Sequence, residues 1–160
     1  MEYLVRLCSI GFASVVPIVL VVCNGPLYSL SQYWNTPYQP LFILSNAITS
    51  YFFFSTPNWR VPSFFLMLLT AFSLEYHNLI HDILAIIFFI TCAYALFKSN
   101  RFKYHFYLFM IGICVMPISL LYGEIIGILV LCVYHAQILM YKHRLDNRHE
   151  IWPVYIFILK

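Results

Sequence analysis

Six apolar runs, separated by short polar or turn-forming stretches, organise the whole chain. Each run is rich in Leu, Ile, Val and Phe and is typical of a helix that crosses a membrane. The predicted spans are residues 3–23, 39–55, 63–75, 78–97, 104–121 and 124–141. Residues 63–97 cannot form a single span, because that helix would measure about 52 Å against a hydrocarbon core of about 30 Å. The chain is therefore predicted to turn at the polar stretch that ends near residue 82.

The connection between the first two spans is uncharged and rich in turn-forming residues. Asn-Gly-Pro at residues 24–26 and Asn-Thr-Pro at residues 35–37 are turn signals. Tyr28, Tyr33 and Trp34 lie between them. Tyr and Trp are enriched where a membrane meets water, so all three side chains are predicted to lie in the headgroup layer.

Composition leads to the same class of protein. Of the 160 residues, 62% are hydrophobic and only 9% are charged, whereas a soluble domain carries about 25% charged residues. The predicted fold class is all-α, a polytopic membrane protein with a bundle of six transmembrane helices. The net charge of +3 is too small to indicate nucleic-acid binding.

Every Lys and Arg falls on one side of this arrangement. They are Arg6, Arg60, Lys98, Arg101, Lys103, Lys142, Arg144, Arg148 and Lys160. The positive-inside rule makes that side cytoplasmic and places both termini there. Residues 1–141 then form the transmembrane domain and residues 142–160 a cytoplasmic tail. The apolar end of the tail, residues 151–160, is too short to cross and is predicted to lie at the membrane surface.

A polar cluster interrupts the apolar pattern on the opposite, exoplasmic side. It contains Glu75, His77, Asn78, His81 and Asp82, and Glu124 falls on the same side. An ionisable group at the centre of a membrane helix costs roughly 2.5–3.5 kcal/mol, so such groups usually mark function. We expect four of them, Glu75, His81, Asp82 and Glu124, to form a polar site for lipid headgroups. The alternative is a purely structural role, in which these residues cap helices and hydrogen-bond one another.

The same cluster supports a metal hypothesis. His77 and His81 are four residues apart, which suits two ligands of one metal ion on one helix face. Asp82 or Glu75 could be the third ligand, or could instead orient a ligating histidine. A zinc ion held by His77, His81 and Asp82 would lower the pKa of a bound water towards about 7 and supply a nucleophile. Ser73, His77 and Asp82 are the catalytic candidates in that case.

Further polar residues lie inside the predicted spans. His135 is in the middle of the sixth, where an interhelical hydrogen bond is the ordinary role. Proton-coupled transport through Glu124 and His135 is the alternative. Asn46, Thr49 and Ser50 form a polar stripe on the second span, which is predicted to pack against another helix.

Several short motifs resemble those of a known family. They are Ser31-Gln-Tyr-Trp-Asn-Thr-Pro37 with Phe42, Ala71-Phe72-x-x-Glu75, His81-Asp82-x-x-Ala85 leading into Phe88-Phe89, and Glu124 at the start of the sixth span. Together they are similar to the family that joins the FGF-receptor-activating protein, the DRAM autophagy modulators and yeast Sfk. The resemblance implies six membrane helices and a lipid-linked role, because the family includes the Golgi factor that remodels the lipid of GPI anchors.

A second resemblance points to an enzyme. Ser73-x-x-x-His77 followed by Asp82 is similar to elements of the intramembrane metal hydrolases that include the alkaline ceramidases and the progestin and adiponectin receptors. This resemblance implies a zinc-dependent lipid amidase.

The favoured prediction is a membrane protein that binds membrane lipids, possible GPI-anchor lipids among them, or assists their remodelling, without a cofactor. The alternatives are the zinc-dependent amidase and the proton-coupled transporter. Lipids are the expected partners, with a second membrane protein or a second copy of the chain as a further one. The predicted location is the Golgi, another endomembrane or the plasma membrane in a eukaryote, and the inner membrane in a bacterium.

Overall fold

The chain folds into helices joined by short connections. The computed structural model describes residues 2–56, 58–72, 77–99 and 103–158, with side chains described from residue 3 to residue 145 of those ranges. The helices are α1 (Glu2–Asn24), a short 3-10 helix (Leu30–Asn35), α2 (Gln39–Phe54), α3 (Arg60–Ala71), α4 (Asn78–Lys98), α5 (Lys103–Val115) and α6 (Leu120–Ile158). The predicted all-α class is confirmed.

The six α-helices close into a ring. Each packs against the next along the chain, and α6 returns to pack against α1. Neighbours joined by short connections run antiparallel, so the helix ends alternate between two ends of the bundle. The basic end, as we call it, carries the described cations Arg6, Arg60, Lys98, Lys103, Lys142 and Arg144. The opposite end, the acidic end, carries Asp82 and Glu124, each the fifth residue of its helix, α4 and α6 respectively.

Three of the described helices are long and apolar enough to cross a membrane, which indicates a membrane protein. They are Tyr3–Asn24, Asn78–Lys98 and Leu120–Leu145. The other three α-helices, α2, α3 and α5, contain 16, 12 and 13 residues. A straight crossing needs about 20. Length and composition alone therefore identify three spans.

Several helix boundaries differ from the predicted ones, among them those of α3, which runs from Arg60 to Ala71 rather than from residue 63 to residue 75. α5 ends at Val115 rather than at residue 121, because Pro117 disfavours helical backbone in the residue before it and has no N–H to donate. α6 begins at Leu120 rather than at residue 124, and it continues past residue 141, the last residue of the predicted span. Residues 141–152 contain neither Gly nor Pro, so nothing in that stretch ends the helix.

Glycines bring α5 and α6 close together. A Cβ atom added to Gly112 would lie 3.2 Å from the Gly123 carbonyl oxygen and 3.2 Å from the Gly127 amide nitrogen. Gly123 and Gly127 are four residues apart on α6, the small-residue spacing that allows close helix packing in membranes. The two backbones can therefore approach this closely only because glycine has no side chain.

Hydroxyl groups join α2 to α3. The Ser50 hydroxyl donates to the Ser63 carbonyl oxygen at 2.8 Å, and the Ser63 hydroxyl donates to the Ser50 carbonyl oxygen at 2.6 Å. Both serines are buried. Ser50 was part of the predicted polar stripe, and it helps to pack α2 against α3.

Candidate functional site

The 3-10 helix closes the acidic end of the ring. The chain leaves α1 through Gly25, whose φ of +79° is a conformation that favours glycine. The Gly25 carbonyl oxygen accepts a hydrogen bond from the Tyr33 hydroxyl at 2.7 Å. Tyr33 is fully buried beside Leu20 and Leu121. The prediction that Tyr33 lies in the headgroup layer is therefore wrong: its hydroxyl finds an acceptor inside the protein, whereas Tyr28 is 73% exposed.

Glu124 is buried beneath this 3-10 helix. Its Oε2 accepts a hydrogen bond from the Leu30 amide at 2.7 Å, and the residue is 8% exposed. A buried carboxylate needs a hydrogen-bonded partner to offset its desolvation. This contact uses Oε2 alone, and Oε1 has no hydrogen bond to a described residue, so it can meet a ligand or a proton.

His81 contacts Ser31, the residue that follows Leu30 in the same 3-10 helix. Its Nε2 lies 2.8 Å from the Ser31 hydroxyl, and its Nδ1 lies 2.8 Å from the Phe72 carbonyl oxygen. Because a carbonyl oxygen can only accept, Nδ1 carries a proton and donates it. In the neutral imidazole Nε2 then accepts from the Ser31 hydroxyl. The imidazole thereby ties α4, the end of α3 and the 3-10 helix together.

Leu30 and Ser31 are consecutive, so one turn of the 3-10 helix connects Glu124 to His81. We call Ser31, His81 and Glu124 the polar triad; all three are buried. His81 and Glu124 were predicted site residues and contact the same turn. Ser31 was not predicted as a site residue, because an isolated serine in an uncharged loop does not by itself indicate a functional role. Only its position in the motif of residues 31–37 pointed to it.

Two other predicted site residues, His77 and Asp82, lie outside the polar triad. His77 and Asp82 are exposed, and His77 packs edge-on against the Phe72 ring with centroids 5.6 Å apart. Ser73 and Glu75 lie outside the described residues. The spacing of His77 and His81 does not put them on one helix face, since α4 begins at Asn78.

The described residues do not assemble a metal-ligand set. Among them no three His, Cys, Asp or Glu side chains are grouped closely enough to hold a metal ion. Both ring nitrogens of His81 are engaged, so ligation would require the loss of one hydrogen bond. His77, His81 and Asp82, as they stand here, do not fit a zinc centre, and the zinc hypothesis stays a prediction.

A central cavity extends from the polar triad into the ring. Glu124 and Ser31 line its acidic end, and most other lining residues are apolar side chains of α1, α3, α4 and α6. α2 contributes a polar strip of Ser45, Asn46 and Thr49. Of the polar stripe predicted on the second span, Ser50 thus contacts α3, whereas Asn46 and Thr49 line this cavity.

Two further cavities continue the same line towards the basic end. One shares Ala13, Thr49 and Phe53 with the central cavity. The next shares Phe53 with both and is also lined by His135. Phe53, stacked on His135 with ring centroids 4.1 Å apart, stands where the three cavities meet.

Comparison of the chain with protein-family models, with curated proteins and with solved structures finds no match.

Proposed function

We propose that this protein is a six-span membrane protein with both termini in the cytoplasm, and that its central cavity binds a membrane lipid. The observation that carries the proposal is the largely apolar central cavity that ends at the buried carboxylate of Glu124. Ligand sites commonly combine an apolar lining with a few convergent polar groups. A lipid chain would fill the apolar part, and its polar group would reach Glu124.

The outer surface supports six spans. Every α-helix presents large apolar side chains outwards, for example Val22, Tyr51, Met67, Ile90, Ile111 and Val133, each at least half exposed. Large apolar side chains exposed on every helix suit lipid rather than water. The described cations all lie at one end, which supports a cytoplasmic position for that end. α2, α3 and α5 are short for a full crossing, and local thinning of the bilayer accommodates short helices.

The polar lining favours a particular kind of lipid. Glu124 accepts hydrogen bonds, and so do Ser31 and Thr49, whose hydroxyl protons are donated to His81 and to the Ser45 carbonyl oxygen. Ser45 and Asn46 both donate and accept. Such groups suit a head that carries hydroxyl or amine groups. GPI-anchor lipids, which the family resemblance implies, belong to this class. Binding or assisting remodelling agrees better with this arrangement than catalysis does, because His77 and Asp82 are exposed and apart from the triad.

The cavity also limits what can enter. It reaches along α6 from Glu124 to Cys132, which is about 12 Å at 1.5 Å per residue. That is under half of a hydrocarbon core of about 30 Å. The proposed occupant is therefore part of one lipid chain together with its polar group, not a whole two-chain lipid.

The test is lipid analysis of protein purified in mild detergent, with a matched pair of alanine-to-leucine variants. Ala85 lines the cavity, and Ala47 lies exposed on α2. We expect wild type and Ala47→Leu to retain a stoichiometric lipid in native mass spectra and Ala85→Leu to lose it. Equal retention by both variants, or no retained lipid in wild type, would refute the proposal.

A second candidate function is proton-coupled transport, and the three aligned cavities favour it. Glu124 lines the central cavity and His135 lines the cavity at the basic end. In vesicles that enclose a pH-sensitive dye, wild type would dissipate an imposed pH gradient faster than Glu124→Gln does. A wild-type rate equal to that of protein-free vesicles would exclude this candidate.

A further inference from the structure

Ser31 and His81 have the geometry of a nucleophile and its general base. The Ser31 hydroxyl donates to His81 Nε2 at 2.8 Å, within the roughly 2.6–3.2 Å over which a general base takes a proton. Both side chains are buried. A serine hydroxyl is a weak nucleophile until an adjacent base accepts its proton. The pair, which we call the dyad, therefore meets the first requirement for covalent catalysis.

The Phe72 carbonyl group fixes the imidazole in the tautomer that this role needs. α3 ends at Ala71, and Phe72 has extended backbone with ψ of 107°, so its carbonyl group does not follow the helical pattern. The carbonyl oxygen accepts the Nδ1 proton of His81 at 2.8 Å. Nε2 is then the basic nitrogen, and it faces Ser31. In serine proteases a buried carboxylate orients the histidine in the same way.

The dyad borders the cavity that we propose holds a lipid. Ser31 lines this cavity beside Glu124, and 9% of its surface stays accessible. Glu124 binds the amide of Leu30, the residue before Ser31, and consecutive Cα atoms are only about 3.8 Å apart. A polar head bound to Glu124 therefore brings the first linkage of its lipid chain close to the Ser31 hydroxyl.

The Ser31 amide is available to stabilise negative charge on a reacting carbonyl oxygen. It makes no hydrogen bond to a described residue, whereas the Gln32 amide donates to the Ser29 carbonyl oxygen. The nucleophile's own N–H is one of the oxyanion donors in serine proteases. Loss of a single oxyanion donor costs roughly 10²–10³ in rate. Nucleophile, base and one oxyanion donor thus occur at one point of the cavity.

We infer that the dyad cleaves an acyl ester of the membrane lipid in the central cavity, so that the protein is a serine-dependent lipid ester hydrolase. The inference rests on the proposed function, because the lipid of that cavity is the substrate. The Phe72 carbonyl group is neutral and stabilises an imidazolium less than a carboxylate does. The dyad therefore suits an oxygen ester, whose alcohol leaves more readily than the amine of an amide.

The reaction proceeds in two steps. The Ser31 oxygen attacks the ester carbonyl carbon while its proton passes to His81 Nε2. The bond from that carbon to the lipid alcohol then breaks, and the alcohol leaves with the proton from Nε2. Water attacks the acyl group on Ser31 with His81 as base again, which releases a fatty acid and restores the hydroxyl. His77 and Asp82, whose exposure argues against zinc-type catalysis, take no part.

The first test is covalent labelling of the full-length protein in mild detergent with a hexadecyl fluorophosphonate, which reacts with activated serines. We expect the mass to increase by a single probe and peptide mapping to place the probe on Ser31. Ser45 is the internal control, because it is a buried serine of the same cavity without a hydrogen bond to a histidine in the described part of the chain. An unlabelled wild type, or equal labelling of Ser45, would overturn the inference without any variant.

Variants test the base. Ser31→Ala should abolish labelling, and His81→Gln should slow it at least about a hundredfold, the smaller end of the contribution of a general base. Ser14→Ala is the matched control, because the Ser14 hydroxyl donates to the Gly11 carbonyl oxygen of its own helix; it should react as fast as wild type. A His81→Gln protein with the melting temperature and labelling rate of wild type would refute the dyad. If this variant does not fold, the mapping on wild type still decides.

Turnover tests the class of substrate. Wild type should hydrolyse umbelliferyl palmitate, Ser31→Ala should not, and the matching coumarin amide of palmitic acid should react far more slowly. Faster cleavage of the amide would overturn the ester assignment. The two proposals can fail separately. Wild type that retains a lipid but is not labelled refutes only the dyad, and wild type that is labelled on Ser31 but retains no lipid refutes only stoichiometric lipid binding.

Discussion

The close contact between α5 and α6 predicts a graded effect of alanine at the glycines. A Cβ on Gly123 would lie 2.5 Å from the Met116 Cγ, and 2.8 Å from both the Gly112 carbonyl oxygen and the Met116 amide nitrogen. The Met116 side chain can rotate away, but the two backbone atoms can separate only if the helices move apart. Gly123→Ala should therefore lower the free energy of unfolding.

The magnitude follows from two opposing effects. Overpacking of a well-packed contact costs about 1–3 kcal/mol, and alanine in place of glycine in a helix gains about 0.5–1 kcal/mol. Because two of the three close contacts at Gly123 are to backbone, we expect a net loss of about 1–2 kcal/mol. Gly112→Ala, with its nearest atoms at 3.2 Å, should lose less.

Gly11 and Gly127 provide matched controls with the same chemical change. A Cβ on Gly11 of α1 would meet nothing within 4 Å, and one on Gly127 would meet Phe109 and Phe89 at 3.4 Å, an ordinary contact. Gly11→Ala should be neutral or stabilising, and Gly127→Ala close to neutral.

The assay is unfolding by sodium dodecyl sulfate in mixed micelles, followed by tryptophan fluorescence, with the midpoint compared across the four variants. The expected order of stability is Gly11→Ala, Gly127→Ala, Gly112→Ala and Gly123→Ala, from highest to lowest. A midpoint for Gly123→Ala equal to that for Gly11→Ala would refute the close approach of α5 and α6.

Three further predictions concern buried hydrogen bonds. Ser50→Ala or Ser63→Ala should each lower the unfolding free energy in micelles by about 0.6–1.7 kcal/mol, the range for interhelical hydrogen bonds in membranes; no change in either would contradict the paired serines. Glu124→Leu should lower it by about 1–3 kcal/mol, because the buried Leu30 amide loses its acceptor, and Glu124→Gln, which can still accept, should recover most of the loss in the same titration. Ser31→Ala should change the nitrogen-15 shift of His81 Nε2 and leave that of Nδ1 in place, and a spectrum without this asymmetry would argue against the assigned contacts.

The candidate site was only partly predictable from the sequence. His81 and Glu124 stood out because ionisable groups in apolar runs are rare. The spacing of His77 and His81 suggested a shared helix face, but α4 begins between them, at Asn78. A one-turn shift of a helix start changes which side chains share a face, and local sequence determines such starts poorly. His77 therefore stays outside the site.

Burial of the first connection was also not visible in the sequence. Tyr33 has the character of an interfacial aromatic residue, because its ring is apolar and its hydroxyl is polar. Its position depends on whether an acceptor is available inside, and that acceptor is the Gly25 carbonyl oxygen, exposed by a turn of positive φ. The residues on either side of the turn contain no signal for this arrangement.

The sequence by itself determined the class of this protein, because hydropathy is a sum over consecutive residues and needs no knowledge of neighbours in space. Apolar runs, turn signals and the one-sided cations follow from composition and order alone. Tertiary structure decided what depends on distant residues: the closed ring, the glycine contact of α5 with α6, and the turn that joins Glu124 to His81 through Leu30 and Ser31. Those contacts depend on packing distances of a few ångströms between segments far apart in the chain, and no local pattern encodes them.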